Sequence, residues 1–369
     1  MDDVAALALA EALLANPTAP LFEELPAAHV RAVGAGLGLE VHQDAAGNVV
    51  VRYEGVDADV DRPLVLVAHL DHPGFAVTGV EGDRLTLEFR GGLLAAHALP
   101  DSPLHLFARG EVDRVGEAVL VDAHEAGGRL TGCTARLVAG DAPPDGFAMW
   151  GFPGFDVVDE RVTGRVCDDL MGVAATLATL TEVAARRPPG VAVWGLFTRA
   201  EEIGFLGALE AIRLGTVPAA ADVLSLECSK ALAEAPQGGG VIVRVGDRMS
   251  IFDPGLTAAL TTAAAGLAAD DEGFRFQRKL MDGGACEATA FCAAGFRASG
   301  IAVPLGGYHN ASDGEPGIVA ESVRVDDYLA EIALLVALAC RPELLRPDAG
   351  PPAWLAERQA AAREALGAA

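Results

Sequence analysis

The sequence predicts an α/β protein, a mostly parallel central sheet sandwiched by helices, with a small β-rich domain inserted into it. Three observations carry this reading. Apolar runs without alternation at 64–68, 191–197 and 223–226 read as strands buried on both faces. Helix-forming stretches separate the later runs in turn, the order that builds a covered parallel sheet. Between 75 and 159 no long amphipathic helix occurs, and short strand-like runs follow one another across Gly, Asp and Pro clusters.

The elements follow in order. Residues 4–15 form a helix ended by Asn16-Pro17, and 27–37 a weaker one frayed by Gly34, Gly36 and Gly38. Residues 39–43 and 49–53 flank the turn-rich Asp44-Ala45-Ala46-Gly47-Asn48, which predicts a hairpin. Pro63 opens the run 64–68, which ends in His69-Leu70-Asp71. In the inserted segment Leu85, Leu87 and Phe89 alternate with Thr86, Glu88 and Arg90, and further runs lie at 104–108, 118–121 and 135–138. Asp168 and Asp169 introduce a helix to 186, stopped by Pro188-Pro189-Gly190. Glu201 and Glu202 are read as leading the next helix, which stops at Gly215, and the run 223–226 ends in Glu227. Helices at 256–267, 288–294 and 326–340 and a strand at 300–303 complete the body. The domain reading is 1–74 and 160–345 as one α/β body in two parts, 75–159 as the insertion, and 346–369 as a helical tail.

Composition narrows the partners. The 369 residues are 51% hydrophobic and 21% charged, enough apolar matter for a sizeable core. A formal charge of −25 argues against nucleic acid and anionic membranes, which require basic patches. It leaves two uses for the acids, a solubilising surface or convergence on a cation. Met1-Asp2-Asp3 is acidic where a secretory signal is basic, and no apolar stretch reaches the ~20 residues of a membrane span, so a soluble cytoplasmic protein is expected. Six cysteines without a CxxC pair read as reduced thiols.

The chemistry lies in the polar residues that end the buried runs: His69 with Asp71, Glu201 with Glu202, Glu227, and His309 after the last strand, joined by Asp168 at a helix start. In an open parallel sheet, ligands bind beyond the carboxyl ends of the strands, so these residues should meet there. Two His and several carboxylates suit zinc, cobalt or manganese, and two ions ~3.5–4 Å apart would employ five ligands. Taken singly, His69 also reads as a hydrogen-bonded core histidine, and the Asp and Glu pairs as complements to helix N-termini. Glu227 is harder to explain so, because a carboxylate at the edge of a buried strand is costly unless paired or metal-bound.

The series His69-Leu-Asp71, Gly164-Arg-Val-Cys-Asp168-Asp169, Glu201-Glu202-Ile-Gly204-Phe-Leu-Gly207-Ala208, Ser225-Leu-Glu227 and Tyr308-His309 resembles the co-catalytic dizinc exopeptidases. Within them it is most similar to the glutamyl aminopeptidase or tetrahedral aminopeptidase family, over roughly residues 1–345. The long interval between His69 and Asp168, which holds the insertion, sets it apart from the aminoacylase and carboxypeptidase G branch. The resemblance implies an aminopeptidase acting on peptides through two divalent ions, zinc with cobalt or manganese as alternatives. It implies Asp168 as the bridge, His69 and Glu227 on one ion, Glu202 and His309 on the other, Glu201 as general base, and Asp71 holding the His69 ring. It further implies an inserted domain for dimerisation or substrate access, and a homo-oligomer, a dimer or dodecamer. The sequence departs from the family at Glu227, more often Asp, at His72-Pro73, and at Leu170, where Arg is usual.

Rival readings are an N-acyl amino acid amidohydrolase on the same ions, an inert binding protein, and glycoside hydrolysis, which would leave the histidines unexplained. Lesser candidates are His97, His105 and His124 in the insertion, the loop Asp282-Gly-Gly-Ala-Cys-Glu287, Cys286 as a buried thiol, and Tyr308 and Arg199 as substrate contacts.

Overall fold

The computed structural model describes residues 1–346 and 353–367. Its largest element is a twelve-stranded sheet whose centre is parallel: Ala192–Thr198 pairs with Leu64–His69, which pairs with Asp222–Ser225, which pairs with Arg297–Gly306. Antiparallel strands flank this centre, so the sheet as a whole is mixed. On one side lies the hairpin Glu40–Gln43 and Val49–Glu54; on the other stand Glu321–Arg324, Arg161–Gly164 and Asp156–Val158.

The unbroken apolar runs have a physical cause. Leu64, Leu66 and Ala68 enter the core beneath the helix Leu170–Arg186, whereas Val65 and Val67 enter a second core on the opposite face. Val193 and Phe197 share the first core, and Trp194 and Leu196 the second. With both faces covered, every position of a strand is apolar. The long helix starts where Asp169 accepts the N–H of Gly172, and it ends at Arg187 in a left-handed conformation.

Six strands between Gly74–Glu81 and Phe147–Trp150 close into a barrel with its own core of Phe75, Leu85, Leu87, Leu104 and Trp150. Alternation in Arg84–Arg90 matches this arrangement, Leu85, Leu87 and Phe89 pointing inward. Two features differ from the sequence reading. Asp156–Val158, placed there in the insertion, pairs within the main sheet. Strands Cys228–Lys230, Val241–Asp247, Phe276–Met281 and Glu321–Arg324 were not foreseen, because short edge segments with mixed polarity lack a clear period. Of the tail, Ala353–Leu366 is helical, while 347–352 and 368–369 lie outside the described residues. Among the described residues no helix is long and apolar enough to cross a membrane.

Candidate metal centre

The parallel centre of the sheet delivers its side chains to one edge. His69 closes its strand, Glu201 and Glu202 follow Ala192–Thr198, Glu227 follows Asp222–Ser225, His309 follows Arg297–Gly306, and Asp168 stands just ahead of the helix Leu170–Arg186. All six line one cavity of about 600 Å³. The crossing of strand ends that the alternation predicts thus brings the whole set together.

Asp168 is central. Its Oδ1 lies 3.6 Å from Nε2 of His69 and its Oδ2 lies 3.7 Å from Nε2 of His309, so each imidazole faces a different oxygen of one carboxylate. Glu202 Oε1 stands 3.2 Å from the same His309 nitrogen without the geometry of a hydrogen bond. Donors bound at ~2.0–2.1 Å around one tetrahedral ion stand ~3.3 Å apart, close to these separations. Glu227 Oε1 is likewise buried without a hydrogen-bond partner among the described residues. Atoms left so at a buried site fit a metal ion, and the His and carboxylate set fits zinc, cobalt or manganese.

A layer of hydrogen bonds holds these donors. Nδ1 of His69 meets the main-chain carbonyl of Asp71 at 3.0 Å, whereas the Asp71 carboxylate is 3.7 Å away. That carboxylate instead accepts the main-chain N–H groups of Glu201 at 2.9 Å and Glu202 at 3.1 Å. Asp71 therefore orients the His ring through its backbone and the paired glutamates through its side chain. His309 directs Nδ1 to the Gly92 carbonyl at 2.7 Å, a contact from the barrel. His72 joins the Asp168 carbonyl at 2.8 Å to Asn310 Oδ1 at 3.0 Å. Glu321 accepts the main-chain N–H groups of Cys167, Asp168 and His309. Sequence reasoning missed Glu321 and Asn310 and took His72 only as a departure. The signal for Glu321 was a lone acid opening a short strand, too common to single out.

Glu201 and Glu202 do not lead a helix. They occupy a turn, and the helix is Leu206–Leu214. Ala200, Gly204 and Phe205 have positive φ, so the chain coils tightly after the strand instead of entering the helix directly. Gly207 then packs on backbone: a Cβ there would lie 2.5 Å from Arg199 N and O. Asn48, from the hairpin turn, secures both segments by accepting from Arg199 N and donating to the Gly207 carbonyl.

Electrostatics set the character of the centre. Burial pushes Glu201 well above the ordinary carboxylate range, Glu227 to about 8, with Asp168 adding, and Asp71 and Glu287 to about 7. Burial would also raise Glu202, but His309 beside it holds it near 2, and the same pairing outweighs burial to lift His309 to about 9. More carboxylates converge here than the imidazoles neutralise, the complement of divalent cations.

The lesser candidates separate. Tyr308 stacks on His309 with ring centroids 3.8 Å apart, and His97 lines the cavity. His105 meets Arg114 and His124 meets Thr134 on the barrel, and Arg199 is taken by Glu23. Cys286 is buried, its thiol pushed far up by burial, which suits a core residue and not a nucleophile. A side pocket of about 120 Å³ opens beside Glu227, lined by Arg244, Met281, the glycine-rich loop and Tyr308.

Comparison with known proteins finds likeness in one segment of the sequence and in the fold. Residues 152–315 match the family model described as M42 glutamyl aminopeptidase. The fold is similar to an aminopeptidase of the archaeon Desulfurococcus kamchatkensis, 18% identical, covering 95% of this chain and 99% of that one with a TM-score of 0.76. It is also similar to the Pyrococcus horikoshii TET1 peptidase, 19% identical over 92% and 99% of the two chains, TM-score 0.72. A TET aminopeptidase of a marine sediment thaumarchaeote is 18% identical over 92% and 99%, TM-score 0.76. The segment similar to that family carries Asp168, Glu201, Glu202, Glu227 and His309, and the likeness to the solved aminopeptidases extends to the fold of nearly the whole chain.

Proposed function

We propose that the chain removes N-terminal residues from peptides through a dinuclear metal centre. The observation that carries this is the division of the Asp168 carboxylate between two imidazoles, Oδ1 toward His69 and Oδ2 toward His309. Asp168 would bridge two ions, most readily zinc, with His69 and Glu227 completing one and Glu202 and His309 the other. Bound there, such ions supply Lewis-acid polarisation of the scissile carbonyl and bring the pKa of water from 15.7 toward ~7.

The protein's own groups do the rest. Glu201, raised by burial and held by the Asp71 hydrogen bond to its backbone, takes the proton of the attacking water and returns it to the leaving amine. His69 and His309 keep Nε2 toward the centre because each Nδ1 is engaged by a carbonyl. The barrel walls the cavity with Gly92, Leu93 and Leu94 and so bounds substrate access. Since the TET1 peptidase of P. horikoshii assembles into a tetrahedron or an octahedral shell, we infer a homo-oligomer here, a dimer or dodecamer.

The deciding experiment sets aminoacyl arylamides against N-acetyl amino acids, with and without chelator and added zinc or cobalt. Metal-dependent cleavage of the arylamides is expected. Cleavage of only the acetylated set would make the protein a deacylase instead.

A further inference from the structure

Arg129 belongs to the inserted barrel yet lines the catalytic cavity. Its backbone is clipped to the segment that holds His309. Leu94 and Arg129 form a β-bridge, Leu130 N donates to the Leu93 carbonyl at 2.9 Å, and Ala95 N donates to the Gly128 carbonyl at 3.0 Å. Gly92, whose carbonyl takes Nδ1 of His309, lies just before that clip. A Cβ built on Gly92 would be 3.5 Å from His309 Nδ1 and 3.7 Å from Arg129 Nη1, so the guanidinium overhangs the His309 side of the centre. Among the described residues it has no carboxylate within 4.0 Å, unlike Lys230 on the same cavity wall, which Asp313 holds at 3.0 Å.

An unpaired guanidinium on the wall of the cavity that holds His309 has one natural complement. A guanidinium binds carboxylate through two parallel N–H donors. One residue spans ~3.5 Å, so the amino acid on the leaving side of a dipeptide puts its free α-carboxylate about that far beyond the scissile bond. In a chain of net charge −25, an anionic substrate terminus needs a local cation to be held at all.

We propose that Arg129 binds the α-carboxylate of the leaving amino acid, making dipeptides with a free C-terminus favoured substrates. The proposal rests on the aminopeptidase reading. Arg129 is a specificity residue supplied by the barrel, which ties the insertion to chemistry as well as to access.

The test compares hydrolysis of Ala-Ala with Ala-Ala-amide by the zinc-loaded protein and its Arg129→Gln variant, with zinc content and melting temperature confirming that the variant is folded. The wild type should favour the free acid ~10–100-fold in kcat/KM, mainly through KM, and Arg129→Gln should bring the ratio near one. Arg129→Lys should restore part of it. Equal rates of the wild type on acid and amide would overturn the proposal, as would an unchanged ratio in Arg129→Gln or its loss only in Arg248→Gln. A preference for Ala-Asp-amide over Ala-Asn-amide that exceeds the acid-over-amide preference would overturn the assignment to the α-carboxylate. Cleavage of arylamides alongside equal acid and amide rates would sink this subsite alone; absence of all peptide and arylamide cleavage would sink the aminopeptidase reading with it.

Discussion

Glu321 accepts the main-chain N–H of Asp168 at 3.0 Å through one oxygen, while its other oxygen accepts that of His309 at 2.8 Å. A single buried carboxylate thus sets the separation of two residues proposed as metal ligands that stand 141 positions apart in the chain. Gln in its place keeps one acceptor but turns an NH₂ toward N–H groups. Glu321→Gln is therefore expected to weaken metal binding ~10–100-fold while the protein remains folded. Metal titration followed by isothermal calorimetry checks this, and unchanged affinity would remove the positioning role.

Glu201 and Glu202 are neighbours with opposite expectations. Glu201→Gln should retain both ions and lose ~10²–10⁴ in turnover, since only proton transfer is removed. Glu202→Ala should lose one ion, because it deletes the donor beside His309. Elemental analysis of the two purified variants distinguishes them; a Glu202→Ala protein with two ions per chain contradicts the ligand assignment.

Gly207→Ala tests the turn that carries both glutamates. The added methyl would meet Arg199 backbone at 2.5 Å and Asn48 Oδ1 at 2.6 Å, so the helix Leu206–Leu214 must shift away from the strand end. A stability loss of ~1–3 kcal/mol is expected from such overpacking, together with reduced turnover. Denaturant unfolding and arylamide kinetics on one sample measure both, and a neutral outcome on each would show that the close approach is dispensable.

Arg244 is buried and lines the side pocket, and its guanidinium makes no hydrogen bond or ion pair among the described residues. A carboxylate on the N-terminal residue of the substrate is its chemical match. Arg244→Met should lower the ratio of glutamyl to alanyl arylamide hydrolysis ~10–100-fold. A wild-type protein that cleaves both alike would end this reading of the pocket.

Much of the centre is legible in the sequence. Polar residues that terminate apolar runs are conspicuous, because a strand covered on both faces excludes them except at its end, and His69 and Glu227 stood out for that reason. The parallel centre of the sheet followed from the same runs, since Leu66 and Val67 must both be apolar when they enter different cores. The paired glutamates were found but misplaced on a helix. Their turn depends on positive φ at Ala200 and Phe205 and on the distant Asp71 carboxylate, neither of which leaves a local pattern.

What the sequence determined by itself was the layered fold and which polar side chains converge at the strand ends, because burial periodicity and strand ends are local properties of the chain. Tertiary structure alone decided that Asp168 turns one oxygen to each imidazole, that Glu321 spaces Asp168 from His309, and that the barrel reaches in with Gly92 and Arg129. Those contacts join residues far apart in sequence, and their geometry is set by packing of the whole body, which no local pattern encodes.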